Sequence, residues 1–178
     1  MKALIIVDPI VQFFTGEWAN KRAQAIVPNL VTLVMGTKHR NEPVIIARDA
    51  HSPKDPELKI WGQHAMAGTP GAEIIPELQG FADIEVPKNT YDAFNGTSLS
   101  TILLSKGVTE VVIAGVLTDI CVRHTAASAF MHGHKITIYE SCVDVLDTPD
   151  AKEVQKYELE KMHKLYGAKI IYKWMQHR

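Results

Sequence analysis

Only two cysteines occur among the 178 residues, Cys121 and Cys142. Their separation excludes a Cys-x-x-Cys redox pair, and a reducing compartment excludes a structural disulfide, so each is judged as a free thiol. An excess of charge is missing too: 19 Lys and Arg stand against 20 Asp and Glu, a formal net charge of -1. Such a chain carries no electrostatic footprint for nucleic acid or an acidic membrane surface. Long apolar runs are also absent. The opening Met1-Lys-Ala-Leu-Ile-Ile-Val-Asp8 is too short for a secretory core plus cleavage site, and no segment reaches membrane-spanning length. The expectation is a cytoplasmic protein whose partner is a small, neutral or weakly charged molecule. No internal repeat or low-complexity tract appears. With 46% hydrophobic residues, residues 1–178 can bury a sizeable core as a single domain.

Short β-branched runs are plentiful. Ala3 to Val7, Val44 to Ala47, Val111 to Ala114, Ile136 to Tyr139 and Lys169 to Tyr172 have the composition of strands buried on both faces. Helical stretches alternate with them: Pro28 to about His39 with the proline in the first turn, Thr97 to Lys106, Asp119 to about His132, and about Asp150 to Tyr166. Gly107, Gly133 and Gly167 end the last three. The alternation predicts a three-layer α/β/α, Rossmann-like fold with a mostly parallel sheet of five to six strands and ligands beyond the C-terminal strand ends. The longest irregular stretch, His51 to Gln79, holds four prolines and three glycines. A loop of that length in a compact domain is usually functional.

Reactive side chains collect where such a sheet would bind ligands. Cys121 lies at a strand-to-helix junction, Gly115-Val-Leu-Thr-Asp-Ile-Cys121, where unpaired N–H groups and the helix dipole stabilise a thiolate. On position alone an inert buried thiol explains it equally well. Asp8 ends the first strand, and Lys88 follows a short strand candidate at Glu85-Val-Pro. Singly these are a capping residue and a surface charge. Together they supply a nucleophile, a carboxylate to move its proton, and a cation to lower the thiol pKa, a set suited to acyl transfer at an amide.

A second set is Asp49-Ala-His51 with Trp61-Gly-Gln-His64 downstream. Asp-x-His in extended chain puts both side chains on one side, and His64 from the loop completes a site for one divalent zinc, iron or manganese ion. The plainer alternative is a turn-capping Asp49 with two ordinary polar histidines. His39, His124, His132, His134, His163 and His177 show no comparable pattern and are expected to be solvated.

These residues resemble the isochorismatase-like cysteine hydrolase family, and within it the nicotinamidases, also called pyrazinamidases. The resemblance runs along nearly the whole chain: Val7-Asp8, Phe13 then Gly16, Asp49-x-His51, Trp61-x-x-His64, Gly68-Thr-Pro-Gly-Ala-Glu73, Lys88 with Tyr91-Asp-Ala-Phe94, and Gly115 to Val122. It implies a catalytic triad of Asp8, Lys88 and Cys121, and a metal site of Asp49, His51 and His64 that holds a pyridine nitrogen. It also implies a cis peptide between Val116 and Leu117, which aims the Leu117 N–H beside that of Cys121 as an oxyanion hole. Phe13 and Trp61 would sandwich the substrate ring, or simply pack in the core. A small-molecule amide substrate and a homo-oligomer are implied as well.

Departures from the pattern surround the ligands. Asp8-Pro-Ile-Val-Gln-Phe13 stands where nicotinamidases commonly have Asp-Met-Gln-Asn-Asp-Phe, and Ala50 and Ser52 flank His51. These positions bear on which amide is taken more than on the reaction. The alternatives are an N-carbamoylsarcosine amidase or related ureido hydrolase, which shares the triad without needing the metal, and a non-enzymatic metal-binding module. Isochorismatases proper lack the cysteine nucleophile. A phosphoryl-accepting signalling domain would need carboxylates ahead of Asp8, and none is present.

Overall fold

Each strand alternates its side chains between two apolar layers, and this alternation organises the molecule. The computed structural model describes residues 1–172; the expected solvation of His177 falls outside them. On one face, Ala3, Ile5 and Val7 of β1 (Lys2–Val7) join Ile45 and Ala47 of β2 (Val44–Asp49) and Val111 and Ile113 of β4 (Glu110–Val116). They pack under α4 (Leu99–Ser105), α5 (Arg123–Met131) and α6 (Ala151–Tyr166). On the other face Leu4, Ile6, Val44, Ile46, Val112 and Ala114 meet the Ala23, Ile26, Leu30, Leu33 and Val34 stripe of α2 (Lys21–His39). Burial on both faces is why these runs are continuously apolar rather than alternating.

The strands pair in the order β3-β2-β1-β4-β5-β7, every pairing parallel, with β3 at Ile84–Lys88, β5 at Lys135–Tyr139 and β7 at Lys169–Ile171. A two-residue β6 (Val143–Asp144) pairs with β4 beyond the point where β5 leaves it. It brings the sheet to seven strands rather than the expected five to six, being too short to leave an apolar run. The α/β/α layering agrees with the sequence expectation. No helix among the described residues is long and apolar enough to cross a membrane.

Two local expectations change. The helix predicted from Pro28 begins seven residues earlier at Lys21, where the Asn20 side chain accepts the Arg22 N–H at 3.0 Å. Pro28 therefore sits inside the helix. It lies on the exposed face, while the buried stripe holds the helix against the sheet. The stretch from His51 to Gln79 is also less irregular than its composition suggests. It contains α3 (Leu58–Trp61), two 3-10 turns, and a parallel bridge between His51 and Met66.

Candidate active site

Strand order decides which side chains become neighbours. Adjacent strands stand about 4.8 Å apart, and the C-terminal ends of β3, β2, β1 and β4 form a row. Lys88 ends β3 directly opposite Asp49 at the end of β2, Asp8 follows β1, and the turn bearing Cys121 follows β4. The chain winds outward from β1 through β2 to β3, then crosses to β4 on the other side. The row therefore straddles the switch point where doubly wound sheets bind ligands.

Asp8, Lys88 and Asp49 form one buried ionic knot. Lys88 Nζ donates to Asp49 Oδ1 at 2.5 Å and to the Thr90 carbonyl at 3.2 Å, and lies 2.8 Å from Asp8 Oδ2. The Asp49 N–H donates to Asp8 Oδ1 at 2.7 Å. Asp8 adopts a positive φ of 52°, a conformation Asp tolerates better than most residues, which turns its carboxylate back over the strand ends. Burial, and then the charge of Asp49, push the Asp8 carboxyl up to about 7 against the pull of Lys88. Burial would raise Asp49 as well, but Lys88 and the hydrogen bonds from His51 and Lys88 hold it below the usual range. Between two carboxylates Lys88 stays an ammonium despite its burial.

Cys121 sits in a single π-type turn, Thr118–Val122, closed by the Ile120 and Val122 N–H groups, which both donate to the Leu117 carbonyl at 3.1 Å. The peptide between Val116 and Leu117 is cis, as the resemblance implies. The thiol differs from expectation. Burial holds it well above its ordinary range against the pull of Lys88, and the negative charges of Asp8, Asp49 and Glu57 push in the same direction as burial.

Beside this triad Asp49, His51, Glu57 and His64 each offer one donor atom, all within 4.8 Å of one another and all buried. His51 Nε2 lies 3.7 Å from Asp49 Oδ2 and 3.4 Å from Glu57 Oε2; His64 Nε2 lies 3.9 Å from the same Glu57 oxygen. His51 Nε2 and Glu57 Oε1 are buried without hydrogen-bond partners. Two imidazole nitrogens and two carboxylates, with orphaned atoms facing a common point, fit a divalent cation of the zinc, iron or manganese class. Burial would lower His51, but the surrounding carboxylates of Asp49, Glu57 and Asp55 outweigh it and lift the imidazole to about 10. Glu57 was not among the sequence candidates. It lies in the Ser52-Pro-Lys-Asp-Pro-Glu57 loop, whose spacing carries no period, and only the chain reversal into α3 delivers it to the cluster.

Cys121 and, from the donor cluster, Asp49, Glu57 and His64 line one cavity of about 630 Å³. Phe13, Trp18, Trp61, Tyr91, Leu117 and Ile120 line its apolar part. Phe13 packs on the α2-side core and also faces the cavity, whereas Trp61, 44% exposed, is no core residue. The Trp61 Nε1–H donates to the Tyr91 hydroxyl at 2.8 Å. Trp18, an aromatic the sequence reading left out, stacks on His64 with ring centroids 4.5 Å apart and stands 6.1 Å from Phe13. Of the remaining described histidines, His39, His132 and His163 are exposed and His124 and His134 half-buried, outside the cluster.

The sequence is 36% identical over 141 residues to nicotinamidase 3 of Arabidopsis thaliana, spanning 75% of this chain and 68% of that protein. Among solved structures, the N-carbamoylsarcosine amidase of Thermoplasma acidophilum superposes with a TM-score of 0.88 at 32% identity, covering 99% of both chains. The pyrazinamidase of Pyrococcus horikoshii in complex with zinc superposes with a TM-score of 0.84 at 30% identity, covering 97% of this chain and 99% of that one. The Isochorismatase domain matches residues 2–172. With that match running along almost its full length, the chain belongs to the isochorismatase family.

Proposed function

We propose that this chain is a cysteine amidohydrolase that converts nicotinamide and water to nicotinate and ammonia, working in the cytoplasm as a homo-oligomer of single-domain subunits. The observation that carries this reading is that Cys121, with the buried Asp8–Lys88 pair behind it, and Asp49, Glu57 and His64 of the donor cluster line one aromatic-walled cavity. The named similarities to a nicotinamidase and a zinc-bound pyrazinamidase support it. Two free thiols accord with a reducing compartment.

The proposed chemistry follows from the protonation states. Asp8, with a carboxyl near 7, is matched to take the proton of a thiol that burial keeps neutral. Lys88 holds the Asp8 carboxylate in place and offsets the negative charge that develops on sulfur. The sulfur attacks the carboxamide carbon, and the N–H groups of Leu117 and Cys121 hold the resulting oxyanion. Asp8 passes its proton to the leaving nitrogen and ammonia departs. Asp8 then draws a proton from water, which cleaves the Cys121 thioester and restores the thiol. Asp49, His51 and His64, with Glu57 as a further ligand, would hold a divalent ion, which when bound would supply a Lewis-acidic position for a ring nitrogen. Phe13 and Trp61 flank the ring and orient its amide toward Cys121.

A ureido substrate is the second reading, favoured by the 99% mutual coverage with N-carbamoylsarcosine amidase. One assay separates the two: ammonia release from nicotinamide, pyrazinamide and N-carbamoylsarcosine, by wild type, Cys121→Ala and chelator-treated protein. Nicotinamide turnover lost in the variant and on chelation is the expected result. Turnover of the ureido compound that survives complete metal removal selects the second reading, and no release from any of the three with zinc, iron or manganese supplied defeats both.

A further inference from the structure

His51 can serve a metal only through Nε2, and only if its proton resides on Nδ1. The structure shows what decides this. His51 Nδ1 lies 3.2 Å from Asp55 Oδ2, and the same oxygen accepts the Ser52 N–H at 2.7 Å. Asp55 Oδ1 accepts the Ser52 hydroxyl at 2.8 Å and the Asn89 Nδ2–H at 3.4 Å. Every other partner of this buried carboxylate is a donor, so toward His51 it is an acceptor and Nδ1 carries the hydrogen. In the neutral ring that a metal requires, the lone pair is then left on Nε2, which has no hydrogen-bond partner and faces Asp49 and Glu57. His64 is set the same way by a backbone group, with Nδ1 2.9 Å from the Gly62 carbonyl. The two imidazoles thus present Nε2 to one point, one fixed by a main-chain oxygen and the other by a side chain. Asn89, which steadies Asp55, directly follows Lys88, so the same carboxylate ties the donor cluster to the strand end that bears the catalytic ammonium.

The geometry points to Asp55 as a positioning residue that sets the tautomer and ring orientation of His51 and thereby the metal affinity of the cluster. This rests on the reading of Asp49, His51, Glu57 and His64 as a metal site. Outer carboxylates on metal-binding histidines typically alter affinity by 10- to 100-fold.

The test uses the full chain stripped with chelator and titrated with zinc against a chromophoric competitor, beside Asp55→Ala and Asp55→Asn. Cobalt(II) absorption reports ligand number, and apoprotein melting reports fold. Zinc affinity should fall roughly 10- to 100-fold in Asp55→Ala and by about three- to tenfold in Asp55→Asn, whose neutral amide oxygen can still accept the Nδ1–H but less strongly than a carboxylate. The cobalt bands should weaken or shift in Asp55→Ala while the apo melting temperature of Asp55→Asn stays near wild type. Zinc affinity and cobalt spectra unchanged within twofold in both variants overturn the inference, even if melting temperature falls, because Asp55 would then be merely structural. Should Asp55→Ala fail to fold, Asp55→Asn and Ser52→Ala carry the same comparison. Wild-type protein that binds no zinc would instead remove the metal reading beneath it.

Discussion

Replacing Lys88 by methionine tests the ionic knot at the centre of the site. Methionine keeps the length and much of the volume of lysine and deletes its three donors. In the wild type those donors serve Asp49 Oδ1 at 2.5 Å, Asp8 Oδ2 at 2.8 Å and the Thr90 carbonyl at 3.2 Å, with no solvent access to the ammonium. Breaking a buried pair by removing one partner costs about 3–5 kcal/mol, because the remaining charge is uncompensated. Here two carboxylates are left facing each other, but one can take a proton. Asp8, already near 7, is that one, so at neutral pH the loss should lie at the lower end, about 3 kcal/mol. In a chain of this size each kcal/mol moves the melting temperature by roughly 2–4 °C, giving a fall of roughly 6–12 °C. The sign with pH follows: protonating Asp8 relieves the clash, so the penalty shrinks toward pH 6 and grows toward pH 8.5. Urea unfolding in chelator, with Asp8→Asn added singly and in the Lys88→Met background, measures the coupling. Asp8→Asn should recover stability in the variant background. A Lys88→Met protein within 1 kcal/mol of wild type, or a double variant whose losses simply add, would refute the account.

Further expectations concern sulfur, backbone and the cavity mouth. Iodoacetamide should label Cys121, which lines the cavity, and spare Cys142, which is fully buried with its thiol pushed up to about 12. Since the Cys121 thiol lies well above its ordinary range, labelling should rise about tenfold per pH unit from 7 to 9; a plateau below pH 8 by mass spectrometry would mean a preformed thiolate. Gly115→Ala places a Cβ on the Val7 carbonyl oxygen and 2.7 Å from the Val7 nitrogen at φ 108°, so the loss should exceed about 4 kcal/mol. Gly133→Ala, with φ 82° but open space, should cost only about 1–2 kcal/mol, and equal melting of the two variants would contradict this. Tyr91→Phe removes the exposed bond from Trp61 and should change stability by less than about 1 kcal/mol while raising KM a few-fold; an unchanged KM would separate this wall from substrate. Pro28→Ala restores an N–H to the exposed face of α2 and should stabilise by about 1–3 kcal/mol, with calorimetry showing no gain as the contrary result.

How far the site was legible depends on how local its signals are. Asp8 and Lys88 sit at ends of apolar runs, and Cys121 follows one through a short turn, so strand periodicity alone located them. Asp49 and His51 share an Asp-x-His spacing that the extended chain turns into a common side. Glu57, Asp55 and Trp18 carried no such mark. They lie in Pro-rich or helix-linking segments, where neither a period of two nor of 3.6 relates one side chain to the next. The π-type turn and the two-residue β6 are likewise set by contacts with β4 rather than by composition.

The thiol state shows the division most clearly. Sequence determined the layer order of the fold, because alternating β-branched runs and amphipathic helices can bury their apolar faces only as a covered parallel sheet. It also determined which reactive residues stand at the strand ends. The tertiary structure alone decided how those residues act on one another. Charge interactions depend on burial and on distances of a few ångströms between residues up to 113 positions apart in the chain, such as Asp8 and Cys121. One buried ammonium between two carboxylates, together with the burial of all three groups and of the thiol, holds Cys121 well above its ordinary range and the Asp8 carboxyl at about 7, a balance set by packing that no local stretch of sequence encodes.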